Sequence, residues 1–129
     1  MSRRPYVRPV SKTTWWIGQG RYREYIAREV TCIFIGAYMA MLVIGMWRLW
    51  QGPEAWAGYV DAILSPIGLV FQLICLGFAL YNTITWFNVT PKAMPLMVGG
   101  EKVAGGTIIG AHYAVWGAVS LVLLVLAGL

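Results

Sequence analysis

Glu29, Gln72, Asn82 and His112 are the strongly polar or ionisable residues that lie in or at the edge of long apolar runs. Such groups are costly in a low-dielectric setting, so each one is a functional candidate. A carboxylate at the water edge, Glu29, can accept a proton. Asn82 can donate and accept hydrogen bonds through its amide, and His112 can do either through its ring. Trp86 follows Asn82 at i, i+4, which puts an aromatic plate and an amide on one helix face. Cys32 follows Glu29 at i, i+3 and shares a face with it in the same way. The chemistry open to this set is proton transfer, hydrogen bonding and stacking against a flat ring.

The elements that must position these residues are membrane helices. The chain of 129 residues is 59% hydrophobic and 12% charged, with a mean hydropathy of +0.65. A soluble domain of this size carries about 25% charged residues, so there is too little polar surface to coat a soluble fold. No charge occurs between Val30 and Arg48, within 62–87 or within 103–129. A crossing needs roughly 20 apolar residues, and none of these runs has the alternation of a barrel strand. The expected fold is all-α and integral to the membrane, with helices at about 22–49, 62–87 and 105–128 after an arm over 1–21. The arm, with Pro5, Pro9, Gly18 and Gly20, is expected to lie at the surface. A cleaved leader is not expected, because the first 29 residues are polar, basic and aromatic.

Arg3, Arg4, Arg8, Lys12, Arg21, Arg23 and Arg28 precede the first run, and Lys92 and Lys102 lie between the second and third. The positive-inside rule puts the N-terminus and that second loop in the cytoplasm. The first loop and the C-terminus then face outward. Gly52-Pro53 should stop the first helix, and Pro53 can open a brief helix at its first position. Trp50, Trp56 and Tyr59 are expected at the outer interface, and Trp15-Trp16 at the inner one or against a partner. The second loop, 88–106, cannot be one continuous helix with its two prolines and four glycines. Cys32 and Cys75 both fall in membrane helices and are expected to be reduced. No metal-type cysteine spacing, phosphate-cradling glycine loop or nucleophile constellation is present, and no nucleic-acid partner is expected.

With these bounds, Asn82 lies roughly 8 Å inside the cytoplasmic end of the second helix. His112 lies about 8–14 Å inside the same face, and Glu29 lies at the edge. The three form one polar layer, with Gln72 near mid-membrane. A quinone, a planar ring carrying two oxygens, suits such a layer beside Trp86. Each residue also has a structural reading. Glu29 can pair with Arg28 or Arg23, Asn82 and Gln72 can join helices, and Trp86 can sit in an aromatic belt. His112 can be a satisfied interface histidine, a haem ligand or a quinone partner.

Several stretches, in order and spacing along almost the whole chain, resemble the C-type membrane anchor of bacterial quinol:fumarate reductase. They are "PYVRP" (5–9), "TWW" (14–16), "YREYIARE" (22–29), "GPEAWAG" (52–58), "TWF" (85–87) and "PKA" (91–93). The resemblance implies a three-helix anchor that packs with a second, D-type anchor into a helical bundle in the inner membrane. It implies a flavoprotein and an iron–sulfur subunit on the cytoplasmic face, which hold the FAD and the iron–sulfur clusters. The C-terminus would be periplasmic. It further implies a menaquinol site at the interface between subunits, with Arg28, Glu29, Cys32, Asn82 and Trp86 around it and His112 as a further candidate.

In that family pattern Glu29 is the quinone-side glutamate. Two positions depart from the pattern: Asn82 stands where a histidine is expected, and His112 is an added histidine. An amide can donate to a quinone oxygen but cannot relay a proton at neutral pH. The haem-free branch is the one resembled, so no haem is expected. The alternatives are a haem-b anchor of a succinate dehydrogenase, a purely structural anchor, and a small multidrug transporter. The last has four helices and almost no N-terminal arm.

Overall fold

A computed structural model of the chain describes residue 5 and residues 7–128. Arg3, Arg4 and Tyr6 of the arm, and Leu129, lie outside the described residues. In chain order the elements are α1 (Gly20–Gln51), α2 (Pro53–Leu64), α3 (Pro66–Ala93), β1 (Met97–Val98), β2 (Glu101–Lys102) and α4 (Gly105–Leu126). Three of the helices are long and apolar enough to cross a membrane: α1 with 32 residues, α3 with 28 and α4 with 22. At 1.5 Å per residue they are about 48, 42 and 33 Å long, and each exceeds the ~30 Å of hydrocarbon. The expected all-α, three-crossing architecture is the one observed.

The chain forms two compact parts that divide between Leu69 and Val70. In the first, the arm makes a short turned segment. The Thr14 backbone N–H and hydroxyl both donate to Ser11 Oγ, at 3.2 and 2.7 Å, and Trp16 Nε1 donates to the Thr13 carbonyl at 3.0 Å. Trp15 meets Tyr22 edge to face at 5.1 Å, which ties the turn to the first coils of α1.

α1 ends at Gly52, which has φ +119° and ψ 175°. Only glycine adopts such a backbone at low cost. A single residue therefore reverses the chain, and Pro53 opens α2 at once. The stretch expected as an outer loop is largely helix, and it doubles back along α1. Tyr59 Oη donates to the Met41 carbonyl at 2.9 Å. The Tyr59 ring occupies the space a side chain on Gly45 would need: a Cβ there would come within 2.8 Å of it. Tyr59 thus packs between α1 and α2. Trp56 stacks on it at 5.5 Å.

Ser65 separates α2 from α3. Its hydroxyl donates to the Ala62 carbonyl at 2.6 Å and accepts from Gly68 N–H at 3.1 Å. This is an N-cap followed by proline at the first helical position. The junction is tight: a Cβ on Gly68 would lie 2.5 Å from the carbonyl oxygens of Ala62 and Ile63. The second long helix therefore begins at Pro66 rather than near residue 62.

In the second part, α3 continues past Phe87 to Ala93 with Pro91 inside its last turn. Proline lacks the N–H that would reach the carbonyl four residues back. One missing bond this near the end does not stop the helix. A two-residue antiparallel hairpin follows, pairing Met97 with Lys102 and Val98 with Glu101. Its turn is Gly99-Gly100, at φ +61° and +86°, the doubly positive pattern that tight hairpins favour. Pro91 is buried and lies 3.5 Å from where a Cβ on Gly105 would sit, so the end of α3 rests on the start of α4.

Candidate functional site

Glu29 sits in the third turn of α1. The next charged residue on that helix is Arg48, nineteen positions on, or about 28 Å along the axis. Arg48 bonds Gln51 Oε1 at 3.2 Å and lies over the neighbouring Trp47 ring. That separation matches the thickness of a hydrocarbon core, and the uncharged stretch of α1 between Glu29 and Arg48 is long and apolar enough to cross one. Arg21, Arg23, Glu24 and Arg28 lie N-terminal to that stretch on the same helix.

The candidates on α1 divide between two faces. At 100° per residue, Arg28 lies near Thr31, and Glu29 lies near Cys32. Thr31 is fully buried and Arg28 half-buried, whereas Glu29 and Cys32 are exposed. Thr31 Oγ1 donates to the Arg28 carbonyl at 2.5 Å, and the Cys32 thiol turns back toward the same carbonyl at 3.7 Å. Both side chains satisfy themselves on their own helix, as polar groups do in lipid. The Glu29 carboxylate makes no hydrogen bond or ion pair among the described residues. The pairing with Arg28 or Arg23 open to it from sequence is not formed.

On α3 the polar side chains are largely committed to their own backbone. Thr83 donates to Ala79, Thr85 to Tyr81 and Asn82, and Thr90 to Trp86, at 2.8–3.0 Å. Asn88 Nδ2 donates to Ile84 at 2.9 Å. Asn82 and Gln72 are half-buried, and Trp86 is 52% exposed. Asn82 and Trp86 share a face by their spacing.

His112, on α4, keeps different company. Its Nδ1 lies 2.7 Å from the Ile108 carbonyl. Its ring lies 5.3 Å from the ring of Phe87, and Phe87 also meets Tyr113 edge to face at 5.0 Å and Trp116 at 6.5 Å. Phe87, Ala111, His112, Val115 and Trp116 line an open groove of about 400 Å³. His112 is therefore level with Phe87. Asn82 lies five residues, about 7.5 Å, further along α3, not at the same depth. Neither Asn82 nor Trp86 lines this groove. Sequence reasoning missed Phe87 and Trp116 here. The signal was present in the i, i+4 spacing of His112 and Trp116, the same relation that singled out Asn82 and Trp86.

No group of three or more His, Cys, Asp or Glu side chains that could hold a metal ion exists among the described residues. Cys32 and Cys75 form no disulfide among the described residues, and Cys75 is buried.

Three helices long and apolar enough to cross a membrane define a multi-pass membrane protein. The family model for the C subunit of fumarate reductase matches residues 1–128. The chain belongs to that family, and so is a component of the membrane-anchor type in a multi-subunit fumarate reductase assembly.

Proposed function

We propose that this chain tethers a flavoprotein subunit and an iron–sulfur subunit to the cytoplasmic face of the bacterial inner membrane and helps to form the site where menaquinol is oxidised. Its N-terminus and the 94–104 loop lie on the cytoplasmic side and its C-terminus on the periplasmic side, as the distribution of Arg and Lys favours. A second anchor packs against it. The exposed α1 face carrying Glu29 and Cys32 is available to such a neighbour.

The observation that carries the quinol reading is the state of Glu29. It is a carboxylate at the hydrocarbon boundary, exposed, without an ion pair among the described residues. A surface carboxylate kept only for charge balance would be expected to engage the arginines beside it. Oxidation of a quinol releases two electrons and two protons. The carboxylate of Glu29 takes the two protons in turn at the water edge and releases each to water. The electrons leave through iron–sulfur clusters of the partner to its flavin, where fumarate becomes succinate. Arg28 supplies a positive neighbour, Cys32 a small lining side chain, Asn82 an amide donor and Trp86 a flat apolar surface. FAD and the clusters belong to the partners, and no haem is assigned to this chain.

Purification from membranes by a tag on this chain tests the reading. The expected result is co-purification of a flavin-containing and an iron–sulfur-containing polypeptide with fumarate reduction driven by menaquinol. A chain that purifies alone, with the reductase activity left in the soluble fraction, overturns it.

A further inference from the structure

The residues that lead into α1 carry five cations (Arg8, Lys12, Arg21, Arg23 and Arg28) against two carboxylates (Glu24 and Glu29). Arg8, Lys12, Arg21 and Arg23 are exposed, and their side chains make no hydrogen bond or ion pair among the described residues. Trp15, Ile17, Tyr22 and Tyr25 lie exposed among them. Lys12 belongs to the turn that Trp15 holds against Tyr22 at 5.1 Å, so it stays at the base of the helix. Tryptophan and tyrosine favour the headgroup level of a membrane, where the ring body meets apolar surface and the polar tip meets water.

Height and direction identify what this segment meets. Arg23 and Arg21 lie six and eight residues before Glu29, about 9 and 12 Å along the axis. The uncharged stretch of α1 begins just after Glu29. The headgroup layer on each side of a bilayer is about 5–8 Å thick. Both cations therefore stand within a Debye length, about 8–10 Å, of its phosphates. Arg21 and Arg23 are also about 200° apart around the axis, with Tyr22 between them. The cations thus form a collar around α1 rather than a patch on one side. A flat face of a partner protein can meet only part of a collar, whereas a headgroup layer surrounds a crossing helix and meets all of it.

We propose that Lys12, Arg21 and Arg23, with the rings of Trp15 and Tyr22, form a collar that binds the phosphates of anionic phospholipids in the leaflet where α1 enters the membrane. A cation held near an anionic surface gains about fivefold in affinity. Three together give a preference of the order of 10²-fold for an anionic over a zwitterionic surface. The assignment goes beyond the tethering and quinol reading and needs only that α1 crosses the bilayer.

The test is hydrogen exchange of the backbone amides of residues 11–23 in the assembled complex. The complex is held in nanodiscs of phosphatidylcholine alone or of phosphatidylcholine with phosphatidylglycerol. At low salt, exchange should be at least about tenfold slower with phosphatidylglycerol, and high salt should erase the difference. Arg21→Gln and Arg23→Gln should each cut the difference about fivefold, and the triple variant with Lys12→Gln should abolish it. Arg21→Lys with Arg23→Lys should keep it, because a surface of phosphates reads charge rather than the guanidinium fork. Equal protection in both lipids, lost together with the soluble subunits in the triple variant, assigns the collar to a partner protein and overturns the proposal. Fast exchange in both lipids leaves the collar solvated and overturns it as well. Should the triple variant fail to assemble, the single variants and the salt dependence of the wild type carry the test. A chain that purifies without flavoprotein and iron–sulfur partners but keeps the phosphatidylglycerol effect removes the tethering reading and leaves this assignment standing.

Discussion

Glu29 and Thr31 stand two residues apart on α1 and face nearly opposite ways: Thr31 is wholly buried, and Glu29 is exposed. The separation around the axis is about 200°. One turn of helix therefore carries a buried hydroxyl on one side and, on the other, an exposed carboxylate with no partner among the described residues. That asymmetry is what makes Glu29 a candidate for work with a neighbour rather than for internal stability.

Glu29→Gln removes the proton acceptor but keeps the size of the side chain. Menaquinol-driven fumarate reduction should fall by of the order of 10²-fold. Turnover with a soluble viologen donor and the yield of assembled complex should be unchanged. An equal fall with both donors would speak against a quinone-side role. Glu29→Asp, which keeps the carboxylate, should lie between wild type and the glutamine variant.

The contact of Tyr59 with Gly45 predicts a coupled pair. Gly45→Ala pushes a methyl into the Tyr59 ring, a form of overpacking that costs about 1–3 kcal/mol. In a Tyr59→Ala background the same change should cost much less, because the obstructing ring is gone. Tyr59→Phe alone should lose about 1 kcal/mol with the hydroxyl's bond to Met41. Thermal unfolding of the detergent-solubilised protein reads all of these, and additive losses in the double variant would contradict the packing described.

The α2–α3 junction should tolerate Ser65→Ala better than Gly68→Ala. The first loses a cap, about 1 kcal/mol. The second sets a methyl 2.5 Å from two backbone carbonyl oxygens, and backbone has no flexible end that can swing aside. Unfolding midpoints should rank wild type first, Ser65→Ala second and Gly68→Ala last.

Asn82→His installs the histidine that the resemblance drawn from the sequence implies at this position. Asn82 is half-buried, and an imidazole keeps both a donor and an acceptor. Assembly and menaquinol oxidation should stay within about threefold of wild type, whereas Asn82→Leu, which has neither donor nor acceptor, should raise the KM for menaquinol. Rates measured across quinol concentration separate the two.

Much of the architecture was legible because lipid leaves the backbone few options. The three uncharged runs had to be helices, and Gly52-Pro53 had to end one and start another. What escaped was set at junctions and between distant residues. The stop at Ser65 depends on a cap that links Ala62 and Gly68, too local for a hydropathy pattern to register. The persistence of α3 through Pro91 reflects a single lost bond at a helix end rather than the breaking power proline has mid-helix. The hairpin at Gly99-Gly100 was visible as a turn signal but lacked the alternating flanks that mark strands. The place of Glu29 at the edge of the first uncharged run followed from charge alone. The grouping of His112 with Phe87 and Trp116 did not, because it requires two helices to be brought into register across about twenty-five residues of chain.

The hydroxyl contact between Tyr59 and Met41 spans only 18 positions. Both partners, and the Gly45 notch that receives the ring, precede all of α3 in the chain and so leave the ribosome before it. The elbow at Gly52 can therefore close while synthesis continues. The growing chain then hands the insertion machinery a finished elbow.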